Sequence, residues 1–157
     1  MRLHQKHKIG YPLITRTLER YFGKARDFES YLYLSQVLQA WGLRQGLMAQ
    51  RRGRPRCMGS LIWQLNDCYP VTSWSSVDVY GTWKILHHTL REAFAPRVLS
   101  VSREGETLGV HGVSDLLQPQ SGTLEIRALT FGGRCLRQTR QPVVLPANTS
   151  TVLTDLR

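Results

Sequence analysis

An α/β module followed by an all-β module is what this sequence predicts. Apolar helical stripes lie on either side of the short apolar run "CMGSLIWQLND". Helix, covered strand, loop and helix in that order are the rhythm of a parallel α/β structure. At "FAPRV" the rhythm gives way to short β-prone segments between turn signals, the pattern of an antiparallel sandwich. The boundary falls near Ala95–Pro96, dividing the chain into residues 1–95 and 96–157.

The elements follow from spacing. Residues 12–22, "PLITRTLERYF", bring Leu13, Ile14, Thr17, Leu18, Tyr21 and Phe22 to one helical face, with Pro12 suited to the first position and Gly23 to the stop. A longer helix follows Asp27 as N-cap, with Phe28, Tyr31, Leu34, Leu38, Trp41, Gln45 and Met48 at spacings of three and four. After an Arg/Gly/Pro turn, "LIWQL" reads as a strand covered on both faces. Residues 82–94 carry Trp83, Leu86, Leu90 and Phe94 as a third helical stripe. Beyond the boundary, strands are expected at 97–103, 107–113, 123–130 and 134–141, punctuated by "REGE", "QPQSG" and "FGGR".

Lengths limit what these parts build alone. A closed eight-stranded α/β barrel takes about 250 residues, and residues 1–95 supply one strand and three helices. An immunoglobulin-like sandwich takes about 100 residues, more than residues 96–157 provide. Both modules read as cut short.

Composition narrows the partners. A hydrophobic fraction of 41% and a charged fraction of 20% are those of a globular chain, and no apolar run approaches the roughly 20 residues of a membrane span. The amino terminus, "MRLHQKHKIGYP", lacks the apolar stretch of a secretory signal. The formal charge is +10, from 21 basic against 11 acidic residues, which raises a nucleic-acid partner. Yet the densest cluster, "RRGRPRC", has no interleaved aromatics for base stacking. A solvated turn at a helix end, its cations opposing the helix dipole, fits it better. Cys57, Cys68 and Cys135 form no CxxC pair, so neither a zinc site nor a full disulfide framework is expected. Cys57 and Cys68, at the two ends of the strand, read as packed thiols.

One stretch exceeds what a core requires. "GSLIWQLNDCYPVTSWSSVD" places Trp63 inside the expected strand and Asn66, Asp67, Trp74 and Asp78 at or beyond its end. In α/β barrels functional groups stand at the carboxyl ends of strands. Alternation puts Leu61, Trp63, Leu65 and Asp67 on one side. An indole there offers a flat apolar face to a sugar ring, and Asp or Asn offers partners for hydroxyls. Trp63 as a core residue, with Asp67 capping the next turn, fits the spacing equally.

"HQKH", "RPRCMGSLIWQLNDCYPVTSWSSVDVYGTWKILHH" and "REAFAP" together resemble, almost continuously over residues 1–96, the C-terminal part of the barrel in β-mannosidases of glycoside hydrolase family 2. "LEIRALTFGG" and "LPANTS" resemble, more diffusely, the start of the sandwich domain that follows it. The resemblance implies the last part of a (β/α)8 TIM barrel followed by a truncated immunoglobulin-like sandwich. Met1 then falls inside a continuous domain. It also implies a retaining exo-glycosidase that releases terminal β-linked mannose from glycosides and oligosaccharides, without cofactor or metal. Such a mechanism needs two glutamates about 5–5.5 Å apart, and in the family neither lies in the region this chain resembles. The missing remainder of a parent chain is therefore an implied partner. Trp63 matches the eighth-strand tryptophan that forms the sugar platform. Asn66 and Asp67 match the polar end of that strand, and Trp74 and Asp78 match the loop after it. Tyr69 stands where the family more often has tryptophan. Galactoside or glucuronide cleavage by a parent of the same family, and a non-catalytic basic binding module, are the alternatives.

Other polar residues carry less. His4 and His7 have helical metal spacing but no third ligand, and a loop role is expected. Of His87 and His88, one is expected to pack and the other to face water. Glu19, Glu29 and Glu92 read as solvated helix residues. Asn148-Thr149-Ser150 forms a glycosylation sequon, which matters only in a eukaryotic secretory setting.

Overall fold

A computed structural model describes residues 3–157; Met1 lies outside them. The chain forms two compact units. One takes the described residues through Met48 together with Gly59–Ala95, and the other takes Ala49–Met58 with Pro96–Arg157.

The first unit is helical. Helix α1 (Gly10–Phe22) buries Leu18 and stops at Gly23, whose φ of 75° suits glycine and whose N–H reaches the Glu19 carbonyl. Helix α2 (Phe28–Arg52) is capped as expected: the Ser30 N–H donates to Asp27 Oδ1 at 2.8 Å. Hydrogen bonds from the Ser30 side chain, the Ser30 backbone and Arg26 lower the Asp27 carboxyl pKa. Tyr31 packs its ring 5.5 Å from Tyr11, and Tyr21 lies 5.3 Å from Trp41, fastening α1 to α2. Helix α3 (Ile85–Ala93) buries Leu86 and Ala93 completely. It begins later than its apolar stripe suggests, because Trp83 bridges to Val77 and the Lys84 N–H donates to the Ser76 carbonyl. Among the described residues no helix is long and apolar enough to cross a membrane.

The expected strand at "LIWQL" is corrected. Residues 61–65 belong to no sheet, and near them stand only isolated bridges, including Asn66 to Val77. A strand needs a neighbour to take its backbone groups, and among the described residues only 76–77 reach this segment, at the Gln64 and Leu65 carbonyls beyond Leu61–Trp63. The first unit therefore contains helices and bridged loops, with no parallel sheet among the described residues.

The second unit is antiparallel. Strands β1 (Arg97–Glu104), β2 (Thr107–Ser114) and β5 (Ser150–Leu156) form one sheet in the order β1-β2-β5, and β3 (Gln120–Leu129) pairs with β4 (Cys135–Leu145) in the other. Both sheets are antiparallel, as the turn signals predict, and β5 is an addition to the expected set. The β1–β2 hairpin closes through Gly105 at a φ of 61°. Val113 is fully buried, and Val110 and Leu124 nearly so. At Gly112 the sheets meet closely: a Cβ there would lie 2.2 Å from Leu145 Cδ2 and 3.0 Å from Leu153 Cδ1.

Candidate functional site

The centre of the 59–78 region is an ion-pair hub. Asp67 is only 3% exposed. Its Oδ1 accepts from Lys6 Nζ at 3.0 Å, Ser73 Oγ at 2.6 Å and Ser75 Oγ at 2.9 Å. Its Oδ2 accepts from Lys84 Nζ at 2.7 Å. Burial alone would raise the carboxyl pKa, but hydrogen bonds from Lys84, Ser73, Lys6 and Ser75 outweigh it and hold it at about 2. A buried carboxylate persists only when paired and hydrogen-bonded in this way. The hub ties three distant stretches together, and the backbone reinforces it: the Thr72 N–H reaches the His4 carbonyl, and the Asp67 N–H reaches that of Val77.

Aromatic groups stand around this hub. The Lys6 ammonium lies 5.7 Å from the centre of the Trp74 ring and 6.0 Å from that of Tyr69. Trp74 Nε1 donates to Gln64 Oε1 at 3.0 Å, and its carbonyl accepts from Gln39 Nε2 at 2.9 Å. Gln64 in turn donates to the Asn66 carbonyl at 2.8 Å, and its peptide bond with Trp63 is cis. Trp63 itself is 75% exposed.

The five sequence-predicted residues thus separate. Trp63, Asn66 and Trp74 are joined through Gln64 and lie exposed. Asp67 lies beneath the surface, with both oxygens held by lysines and serines. Asp78 is occupied locally, its Oδ1 accepting from the Tyr80 and Thr82 N–H groups at 2.9 and 2.8 Å. A cleft of about 560 Å³ between α1, α2 and the 71–74 loop is lined by Leu13, Ile14, Leu32, Val71, Trp74 and Lys84. Of the five residues only Trp74 reaches it. Chemically, the arrangement offers a flat apolar ring beside an amide, on a loop stiffened from below.

Sequence reading missed Lys6, Gln64, Lys84 and the hydroxyls of Ser73 and Ser75. The serines of "SWSS" are legible as donors to a nearby acid. The lysines stand 61 and 17 residues from Asp67 and gave no local signal.

The remaining candidates resolve simply. The arginine cluster is not a solvated turn: Arg51 and Arg54 pair with Asp115 Oδ1 at 2.8 and 2.7 Å, and Arg52 donates to Ser100 Oγ and the Val101 carbonyl. Arg54 also donates to Asn148 Oδ1 at 2.6 Å, so the sequon asparagine is a partner within the second unit. His4 Nδ1 hydrogen-bonds with the Pro70 carbonyl, and His7 Nδ1 accepts weakly from the Ile9 N–H. Among the described residues no three His, Cys, Asp or Glu side chains gather as a metal site. His87 is half-buried against Ser76 and Trp83, while His88 is exposed. Glu19, Glu29 and Glu92 are exposed on helices. Cys57 is half-buried, but Cys68 is exposed, contrary to the packed role expected of it.

Residues 106–157 match the Mannosidase Ig/CBM-like domain. Over 96% of its length the chain is 34% identical to the β-mannosidase of Capra hircus, and over 83% it is 35% identical to β-mannosidase B of Aspergillus niger. The crystal structure of the β-D-mannosidase from Dictyoglomus thermophilum superposes on 99% of the chain with a TM-score of 0.90 at 33% identity. The exo-chitosanase of Amycolatopsis orientalis shares the fold alone, with a TM-score of 0.77 at 15% identity over 91% of the chain. The chain spans about a fifth of the length of these relatives: 19% of the goat enzyme and 19% of the Dictyoglomus chain. Its relationship to the β-mannosidases, first carried by the "WQLNDCYPVTSWSSVDVYG" block, therefore extends across nearly all of it.

Proposed function

We propose that this chain is part of a β-mannosidase, a retaining exo-glycosidase acting on terminal non-reducing β-D-mannose residues. In this reading residues 1–95 are the closing portion of the catalytic (β/α)8 barrel, and 96–157 begin the immunoglobulin-like domain after it. The observation that carries the reading is the continuous likeness to a β-D-mannosidase, at 33% identity over 99% of the chain.

The chain's own residues then bind and position. Trp63 supplies the platform for the sugar's apolar face, Asn66 a hydroxyl partner, and Trp74 and Asp78 the adjoining wall. Asp67 works from behind, holding Lys6, Lys84 and the 73–75 loop in register rather than touching sugar. Acid/base and nucleophile are two glutamates about 5–5.5 Å apart, and they come from outside this chain.

The test is a graft in which this chain replaces the corresponding part of the Dictyoglomus thermophilum enzyme. The folded graft is expected to hydrolyse aryl β-mannosides, whereas the 157-residue chain alone gives background rates. Trp63→Ala in the graft should cost about 1–3 kcal/mol of transition-state stabilisation, read from kcat/KM. A folded graft that preferred β-galactosides or β-glucuronides would reassign the sugar, and an unchanged kcat/KM in the variant would remove Trp63 from the site.

A further inference from the structure

On β2, His111 stands in a cluster of polar groups that the proposed glycosidase chemistry does not use. Its neighbour Gly112 faces Leu145 of the other sheet, so alternation turns His111 to the face directed away from β3 and β4. On that face Ser100 of β1 is its cross-strand partner, and Ser102 Oγ lies 2.9 Å from its Nε2. Gly109 leaves the space in which the cluster meets. A Cβ there would lie 3.0 Å from Ser102 Oγ, 3.3 Å from His111 Nε2 and 3.4 Å from Asp155 Oδ1. A register shift beside His111 gives β5 one extra residue, Leu153, which reaches toward Gly112 while Asp155 stays on the His111 side. From the end of α2, in the same unit as the strands, Arg52 donates to Ser100 Oγ and the Val101 carbonyl.

We infer that His111 is an acid-operated latch: neutral, it lets Arg52 hold the last turn of α2 against β1, and protonated, it drives the guanidinium off Ser100. Two forces act together. Ser100 and His111 are directly opposite, where side chains stand about 5 Å apart, so an imidazolium meets the Arg52 guanidinium across a single residue pair. And Nε2, which can accept from the Ser102 hydroxyl in the neutral ring, becomes an obligate donor, with Asp155 Oδ1 the acceptor at hand. Asp155 and Glu104 favour the charged ring, but burial and then Arg52 oppose it and prevail, holding the His111 pKa below the ordinary 6.5. The folded state thus binds fewer protons than the unfolded one. This part of the stability is complete above about pH 6.5 and is lost as pH falls through the folded value.

An NMR titration of the His111 ring in the 157-residue chain reads the latch directly. The ring should titrate below 6.5, and the Ser100 and Val101 amide signals should move with the same midpoint. Arg52→Gln should raise that midpoint, and Asp155→Asn should lower it. A double-mutant cycle of Arg52→Gln with Ser100→Ala, read from denaturant unfolding, gives a second readout. Its coupling should be favourable while the ring is neutral and fall at least about two-fold once the ring is protonated. With His111→Gln in the background the coupling should not change with pH. The titration and the first cycle need no change at position 111, so they decide the matter even where His111→Gln does not fold.

A midpoint at or above 6.5, or one that Arg52→Gln leaves in place, overturns the inference. So does a coupling between Arg52 and Ser100 that persists beside a protonated ring, which would show the imidazolium settling on Asp155 with the guanidinium undisturbed. None of these outcomes touches the glycosidase reading, which stands on the likeness along the chain.

Discussion

Each unit holds an aspartate between two cations, and the two are set at different depths. Asp67 has a side chain only 1% exposed and takes Lys6, Lys84, Ser73 and Ser75 as donors. Asp115 has a side chain 35% exposed and takes Arg51 and Arg54 on one oxygen. The cations are similarly covered in both, at 11 and 13% for the lysines and 8 and 10% for the arginines. The acid makes the difference. A buried carboxylate needs every lone pair filled, whereas a half-exposed one leaves an oxygen to water. Asp67 is thus the point on which the first unit depends, and Asp115 a reinforcement of the second.

Asp67→Ala tests that ranking most severely. It leaves two covered ammonium groups without their anion and should cost about 3–5 kcal/mol, read from denaturant unfolding of the 157-residue chain. A loss no larger than that of an exposed pair would put the two centres on a level. Acid should act on the same group next. Its folded pKa of about 2 lies below the ordinary 3.8, so its contribution is complete above about pH 4 and disappears as pH falls through 2. The loss amounts to about 2 kcal/mol, and Asp67→Asn should flatten the unfolding midpoint's dependence on pH in that window. Asp115→Asn should cost less, about 1–2 kcal/mol, because solvent screens the acid and Arg54 keeps Asn148 as an acceptor. An effect equal to that of Asp67→Ala would break the comparison. At the far end stands Glu125, between Arg127 and Arg140 on the open face of β3 and β4. Glu125→Gln should leave the unfolding midpoint unmoved at physiological salt.

Local periodicity revealed what is locally determined. Stripes of three and four gave α1 and α2, and Asp27 declared its cap because the group it serves lies three residues away. The hairpins followed from their glycines. The segment at Leu61–Leu65 has the alternation of a strand, yet a strand is a relation between two segments, and alternation describes only one of them. Strand β5 escaped for the mirror-image reason: "STVLTDL" is too polar to stand out, and it is ordered by pairing with β2, some forty residues earlier in the chain. The site divides in the same way. The aromatic and amide groups of "WQLNDCYPVTSW" were legible because they crowd into one short stretch. The ion pairs of Asp67 join it to Lys6 and Lys84, which no pattern within the stretch announces. Net charge records how many arginines there are, not that Arg51 and Arg54 pair with Asp115 and that Arg52 reaches Ser100 in β1.

Gly112 leaves one mark that outlasts any single experiment. Any heavier residue there would act as a wedge, because Leu145 from one sheet and Leu153 from the other both occupy the room its side chain would need. Among diverging copies of this chain, replacements at 112 should arrive only together with trimming of one of those leucines, a paired signature that a collection of sequences would display without a single structure being determined.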